Sequence, residues 1–228
     1  MFYQHGNYVK TKPNHQMKST IRISIIVFFL AVVSALNAQT FKLEIGYANP
    51  KIHGNDTSST YLNGIRVGGT VELKLKKNFT LLSGALYNLV YSNKLQGYRD
   101  DQAVNYITMG QSVDIPLRLV YSYSLNKNLK AFVFGGPNLN IGLKSIRGIT
   151  STLDSANIKY TGITSKTQNL YTGSILNRMN LQIGLGGGVQ WKKYLIKSGY
   201  DFGLVNMNHI STKKLYEGGW YISLGYEF

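Results

Sequence analysis

The sequence predicts an all-β protein, an antiparallel up-and-down barrel of eight strands, from three observations. Most of the chain after residue 39 alternates apolar and polar residues with period two, which indicates half-buried strands. Glycine and tyrosine are abundant, with 24 and 17 residues, whereas proline occurs only 4 times. Tight turns alternate with long connections, as expected for a chain of hairpins. The absence of cysteine excludes a disulfide framework and a lipidated N-terminal cysteine.

A secretory signal peptide is predicted at residues 17–38, followed by the barrel at 39–228. Two basic residues supply the positive region of the signal peptide, an apolar stretch follows, and Ala38 ends a small-residue cleavage site. A single membrane-anchoring helix is the alternative, but the apolar stretch is short for one. The polar residues 1–16 do not resemble a signal peptide, so we expect them to be an upstream extension and Met17 to be the true start.

The first four predicted strands lie between residues 41 and 123. Each carries apolar residues at alternate positions, and the fourth does so without interruption. The third strand, 79–92, is less regular, because Leu82, Leu86 and Val90 lie among the small and polar residues of its other face. The apolar faces of the four strands include Phe41, Leu43 and Ile45; Ile65, Val67 and Val71; Leu81, Ala85 and Leu89; and Ile115, Leu117 and Leu119.

The last four predicted strands lie between residues 130 and 228 and alternate in the same way. Their apolar faces include Val133, Leu139 and Ile141; Leu181, Ile183 and Leu185; Ile196, Tyr200 and Phe202; and Trp220, Ile222, Leu224, Tyr226 and Phe228. Tight turns are predicted at 76–78, 126–128 and 192–193, and long connections at 49–61, 93–105, 144–176 and 208–217. Short turns at one end and long connections at the other are typical of outer-membrane barrels and not of Greek-key sandwiches.

The polar faces of the strands carry a nearly balanced set of six basic and five acidic residues. Desolvated charges need partners, so this balance favours a polar face inside the barrel and an apolar face towards lipid, in a transmembrane barrel. Asp114 and Arg118, two pleats apart on one face, are expected to form a structural salt bridge. The predicted interior charges are Lys42, Glu44, Arg66, Glu72, Lys74, Asp114, Arg118, Lys130, Lys197, Asp201 and Glu227.

Aromatic residues cluster at the strand ends, where the interfacial girdles of a membrane barrel belong. They are Tyr47, Tyr121, Tyr123, Trp191, Tyr194, Trp220, Tyr226 and Phe228. Aromatic girdles, an inward polar face and a secretory leader together predict an integral protein of the bacterial outer membrane.

Much of the chain, about 39–228, resembles the PorT-like outer-membrane β-barrel proteins. The most specific stretches are Ile115-Pro116, Gly135-Gly136-Pro137 and Tyr200-Asp201-Phe202-Gly203-Leu204. The last strand also resembles the signal read by the barrel-assembly machinery, through Trp220, Tyr226 and Phe228, although Ser223 stands where a glycine is common. The resemblance implies eight strands, the outer membrane of a Gram-negative bacterium and, in one branch of the family, a link to protein secretion.

The expected function is that of a structural, interaction or secretion-associated membrane component with a filled polar interior and long outer loops. An eight-stranded barrel is filled by its own side chains, which argues against a porin. The expected partners are outer-membrane lipid or lipopolysaccharide, the barrel-assembly machinery and secretion components. The loop residues Lys144, Arg147, Lys159 and Lys166 suit anionic headgroups. The net charge of +15 falls to +11 without the leader, and no dense basic run or motif points to nucleic acid.

A lipid-modifying hydrolase or acyltransferase is the alternative function. Such an enzyme would use His209, which lies two residues before Ser211 in a predicted outer loop. A solvated loop histidine explains the same pattern, so we predict no catalytic residues. No cofactor or metal is expected either, because the predicted barrel contains no cysteine and only two distant histidines, His53 and His209.

Overall fold

A computed structural model of the protein describes residues 39–54, 57–99, 102–151, 168–172, 176–208 and 214–228. The predicted leader, 1–38, lies outside these ranges, and so its cleavage stays a prediction. The strands belong to a compact unit, Thr40–Phe228. In the described part of the chain, no helix has the length and apolar character needed to cross a membrane.

Ten strands form one sheet in the described part of the chain. They are β1 Gln39–Gly54, β2 Thr57–Tyr61, β3 Asn63–Lys76, β4 Phe79–Arg99, β5 Gln102–Ser124, β6 Leu129–Ser151, β7 Gln168–Asn169, β8 Met179–Trp191, β9 Tyr194–Gly203 and β10 Leu215–Glu227. β2 and β3 are separated by Leu62 alone and both adjoin β1, so they act as one strand of the wall. β7 is a short addition to the edge of β6. The wall therefore has eight antiparallel strands, which confirms the predicted fold class.

The barrel closes because β1 pairs with β10 in antiparallel register. The pairing runs from Lys42 opposite Glu227 to Gly54 opposite Leu215. On its other side β1 adjoins β2 and β3, and the remaining strands follow in order around the wall. Closure removes the two unpaired edges that an open sheet would expose to lipid, where their backbone groups could not be hydrogen-bonded.

The two faces of the wall differ sharply in exposure along each strand. On β1, Ile45 is 60% exposed whereas Glu44, its neighbour, is 3% exposed. Leu185 on β8 is 62% exposed, and the following glycine faces the interior. Side chains point alternately to the two faces of a strand, so the apolar set covers the outside and the polar set fills the inside. This outer apolar surface is far larger than a water-soluble monomer exposes.

The three predicted tight turns are confirmed at one end of the barrel, which we call the turn end. β3 and β4 are joined by residues 77–78, β5 and β6 by 125–128, and β8 and β9 by 192–193. Lys77 and Lys192 adopt left-handed backbone conformations, with φ of 52° and 53°. Two-residue hairpins commonly need such angles to match the twist of the strands.

The opposite, outer end differs from the predicted long connections, most of all at the first two. The strands continue through most of 49–61 and 93–105, since β1 extends to Gly54 and β4 to Arg99. The prediction placed loops there because the apolar alternation fades. Backbone pairing does not require that alternation, so the strands continue where it fades. In the third connection, β6 likewise continues to Ser151.

Candidate functional site

A buried ion pair between Glu44 on β1 and Lys197 on β9 closes the centre of the barrel. The two residues are 3% and 6% exposed. Lys197 Nζ lies 2.8 Å from Oε1 and 2.7 Å from Oε2 of Glu44. Thr70 Oγ1 donates a further hydrogen bond of 2.8 Å to Oε1. Alternation places all three side chains inward, and each charge finds the partner that burial requires.

Nearer the outer end, two arginines and two aspartates form a second charged layer. Arg66 Nη2 lies 3.5 Å from Asp114 Oδ2, and its guanidinium lies 4.1 Å from the centre of the Tyr221 ring. Arg118 pairs with Asp201. The expected salt bridge between Asp114 and Arg118 is therefore wrong. In a narrow eight-stranded barrel, side chains from other strands come within reach, so each of the two finds its partner on another strand.

Buried amides surround Asp114 in the same layer. Asn88 and Asn140 donate hydrogen bonds of 2.8 and 2.7 Å to its carboxylate, and Asn138 donates one of 3.2 Å. Asn138 also donates to Gln182 Oε1 at 2.7 Å. This layer was not predicted from the sequence, because asparagine and glutamine are mostly exposed in folded proteins. Their recurrence on inward positions of neighbouring strands is the signal that could have found it.

Apolar side chains fill much of the remaining interior. Four apolar side chains on the inward face are each at most 8% exposed: Leu82, Leu86, Val120 and Phe134. The ring of Phe134 packs over the backbone of Gly186, where any side chain would collide with it. Together with the two charged layers, these groups fill the middle of the barrel apart from a cavity of about 40 Å³ beside Arg66, Asp114 and Asp201, and we call this filled region the plug.

At the turn end the interior widens into a cavity of about 190 Å³, here called the basal vestibule. Lys42 Nζ lies 2.7 Å from Glu72 Oε1 and 3.5 Å from Glu227 Oε2 at its wall. Lys74 and Lys130 are exposed and form no salt bridge with any residue that the structure describes. The lining residues are Thr40, Lys42, Glu72, Lys74, Lys77, Asn78, Thr80, Val120, Ser122, Ser124, Lys130, Phe132, Gln190 and Glu227.

Nine of the eleven predicted interior charges thus form ion pairs within the described residues, and Lys74 and Lys130 do not. Both lysines lie within three residues of the tight turns, where the barrel mouth meets water.

The outer end of the barrel carries exposed cations. The guanidinium of Arg178 lies 5.2 Å from the centre of the Tyr171 ring and donates a hydrogen bond of 3.0 Å to the carbonyl of Leu143. Burial raises the pKa of Tyr171 to about 12, so its phenol stays protonated at neutral pH. Lys144 and Lys214 are exposed at the same end. Within the described residues, this end therefore presents positive charge to the solvent.

Other residues singled out from the sequence cannot be located. Lys159, Lys166, His209 and Ser211 lie outside the described residues, as does the side chain of Arg147. The alternative histidine–serine pair therefore stays a hypothesis. Among the residues that are described, no cluster of histidine, aspartate and glutamate side chains could hold a metal ion.

The three residues of the predicted assembly signal lie on β10 and just beyond it. Trp220 packs against Tyr47 near the outer end, with ring centres 5.3 Å apart. At the turn end, the ring of Tyr226 lies 5.3 Å from that of Tyr194 and 5.1 Å from that of Phe228. The two ends of the apolar belt are thus marked by aromatic contacts, while recognition of these residues by an assembly machinery stays a prediction.

A closed barrel with an apolar exterior, aromatic belts and a charged, plugged interior defines an integral membrane β-barrel. The chain belongs to the family described as outer membrane protein beta-barrel domain, whose model matches residues 32–209. In this class the short turns face the periplasm, so the basal vestibule opens to the periplasm and the extended hairpins face the outside.

Several solved structures are similar to this chain. Ail, the attachment invasion locus protein of Yersinia pestis, is 12% identical over 83% of this chain and 99% of its own, with a TM-score of 0.44. Neisserial surface protein A is 11% identical over 82% and 97%, with a TM-score of 0.42. The N-terminal β-barrel domain of Pseudomonas aeruginosa OprF is 13% identical over 81% and 97%, with a TM-score of 0.28. These similarities carry no argument about function. Curated protein sequences give no significant match.

Proposed function

We propose that the protein is a non-conducting, non-enzymatic barrel of the PorT-like type that holds its outer hairpins at the cell surface to bind a partner. The observation that carries this proposal is the plug, in which the Glu44–Lys197 pair and the Arg66–Asp114 and Arg118–Asp201 pairs are buried across the lumen. A barrel closed in this way acts as an anchor, and its binding surface lies at its ends.

The outer end suits an anionic partner, and lipopolysaccharide phosphates are the one we propose. Exposed Lys144 on β6, Arg178 before β8 and Lys214 before β10 lie towards the outer end on one side of the barrel, the side formed by β6, β8, β9 and β10. Cations at this height meet the phosphate groups of lipopolysaccharide in the outer leaflet, and such contacts form charge-assisted hydrogen bonds. The PorT-like resemblance supports a secretion component as a further partner of the same surface.

Two measurements test this proposal. Planar bilayers containing the purified protein should show no stepwise ion conductance; regular steps would contradict the plug. Binding of lipopolysaccharide to the folded protein should weaken about tenfold in Lys144→Gln/Lys214→Gln. A tenfold change in affinity corresponds to about 1.4 kcal/mol, and each of the two lost contacts to phosphate costs roughly half of that. The matched control is Lys127→Gln/Lys192→Gln, which removes the same charge at the turn end. Equal losses in both variants would show that binding follows net charge alone.

The proposal also excludes a lipid-modifying reaction by this chain. Cells that carry His209→Ala should therefore have the same lipid A profile as cells with the unaltered protein. A lipid A species that disappears with His209→Ala and returns with the wild-type chain would favour the enzyme instead.

A further inference from the structure

We propose that the basal vestibule is a binding site for a small phosphate-type dianion from the periplasm. The cavity lies inside the barrel mouth at the turn end, on the opposite side of the plug from the proposed outer binding surface. The inference therefore stands independently of any outer partner.

The charges of the vestibule favour an anion. Four lysines and two glutamates line it, which gives a net charge of +2. Both glutamates are engaged on one side, because Lys42 Nζ lies 2.7 Å from Glu72 and 3.5 Å from Glu227. Gln190 Nε2 also donates a hydrogen bond of 2.7 Å to Glu227. Within the described residues, the other three lysines, Lys74, Lys77 and Lys130, are left without a carboxylate partner.

Neutral hydrogen-bond donors lie between Lys74 and Lys130 on the intervening strands. Strand pairing sets Lys74 opposite Thr80 and Lys130 opposite Ser124. Ser122 joins them on the lining of the same cavity. Two ammonium groups with hydroxyls between them can donate hydrogen bonds to the oxygens of a phosphate or sulfate group. A cation would instead need a carboxylate, and both carboxylates of the cavity are already paired with Lys42.

The dimensions of the vestibule limit the ligand to a small ion. One water molecule takes about 30 Å³ in the liquid, so 190 Å³ holds an ion of five heavy atoms with a few waters. Val120 and Phe132 line its inner part, and the Glu44–Lys197 pair lies beyond them in the plug. The pocket is therefore blind and would retain an ion without passing it through the barrel.

A periplasmic source is favoured over a lipid headgroup by the position of the lysines. Headgroups surround the outside of the wall, where Lys192 lies 5.0 Å from the ring centre of Trp191 in the aromatic belt. Lys74 and Lys130 belong to the inward face and line the cavity. The expected ligand is a water-borne phosphate group, as in inorganic phosphate or a small phosphate monoester.

The test is titration of inorganic phosphate into the folded full-length barrel in non-ionic detergent, by calorimetry and by ³¹P NMR line width at constant ionic strength. We expect saturable one-to-one binding, weakened about tenfold or more in Lys74→Gln/Lys130→Gln because two charged donors are lost. Lys127→Gln/Lys192→Gln, which removes equal charge outside the cavity, should stay within about twofold. Heat-modifiable gel mobility verifies that every variant is folded.

Two further arms make the outcome decisive. Lys74→Arg/Lys130→Arg keeps the charges and should retain binding, which separates recognition from damage to the fold. Barrels in nanodiscs of phosphatidylcholine should bind phosphate as well as barrels in phosphatidylglycerol discs. Absence of saturable binding, equal weakening in the control, or displacement of phosphate by phosphatidylglycerol alone would each overturn the proposal.

Discussion

Replacing Lys197 by methionine should destabilise the barrel more than any loss of an exposed lysine. The change leaves Glu44, which is 3% exposed, without the ammonium that now lies 2.7–2.8 Å from its carboxylate oxygens. Removing one partner of a buried pair costs about 3–5 kcal/mol of unfolding free energy. We expect the free energy of unfolding to fall by about 3 kcal/mol, the lower end of that range, for two reasons. The hydroxyl of Thr70 still donates a hydrogen bond to Glu44, and the methionine side chain occupies the space of the lysine methylene groups.

The assay is reversible urea unfolding in phospholipid vesicles, followed by tryptophan fluorescence and heat-modifiable gel mobility. Lys127→Met, in the exposed turn between β5 and β6, is the matched control and should change stability by less than about 0.5 kcal/mol. The double variant Glu44→Gln/Lys197→Met leaves no charge uncompensated. Its loss should be smaller than the sum of the two single losses by about 2 kcal/mol.

Two results would refute this reasoning. If Lys197→Met costs no more than Lys127→Met, then Lys197 is not buried against Glu44. If the double variant loses the full sum of the single losses, the two side chains do not interact, and the central part of the plug has been assigned wrongly.

Three further predictions concern the lipid face, the leader and the closing strand. Leu117→Arg, on the exposed apolar face of β5, should cost about 2–4 kcal/mol in vesicle refolding, whereas Ser122→Arg in the vestibule should cost less; equal losses would mean that inside and outside are reversed. N-terminal sequencing of protein extracted from the outer membrane should begin at Gln39, and a retained 23–36 segment would contradict a cleaved leader. Deleting Tyr226–Phe228 removes aromatic contacts and part of the strand pairing with β1. The heat-modifiable folded form should therefore be lost from the outer-membrane fraction. Normal levels of that form would argue against an assembly role.

The sequence was sufficient to predict the wall of the barrel, because the outer and inner faces have opposite chemistry. Glu44 and Ile45 are neighbours that differ from 3% to 60% in exposure, so the period-two pattern determines which residues face lipid. Where that contrast disappears, the prediction was wrong. The strands continue through most of 49–61 and 93–105, and their pairing depends on backbone hydrogen bonds that leave little trace in side-chain composition.

The partners within the interior could not be predicted, because they depend on distances across the barrel. Asp114 and Arg118 share a face of one strand, yet the structure pairs them with Arg66 and Asp201 on other strands. Leu86 appeared to be an irregularity of β4 and is instead 1% exposed within the plug. The alternating pattern assigns a side chain to the interior of the barrel. The register of the strands and the radius of the barrel decide which other side chain it contacts there, and the sequence pattern contains neither.

The closing seam between β1 and β10 gives the most direct measurement of the central claim, that the strands form a closed barrel with this register. The chain has no cysteine, so Ile45→Cys/Leu224→Cys places a single pair of thiols at directly opposed positions of the seam. In this variant, oxidation of isolated outer membranes should form an intramolecular disulfide in the folded, heat-modifiable protein. The control variant Ile45→Cys/Phe228→Cys, whose thiols are four residues out of register, should form none. A disulfide in neither variant, or equally in both, would contradict a barrel closed in this way.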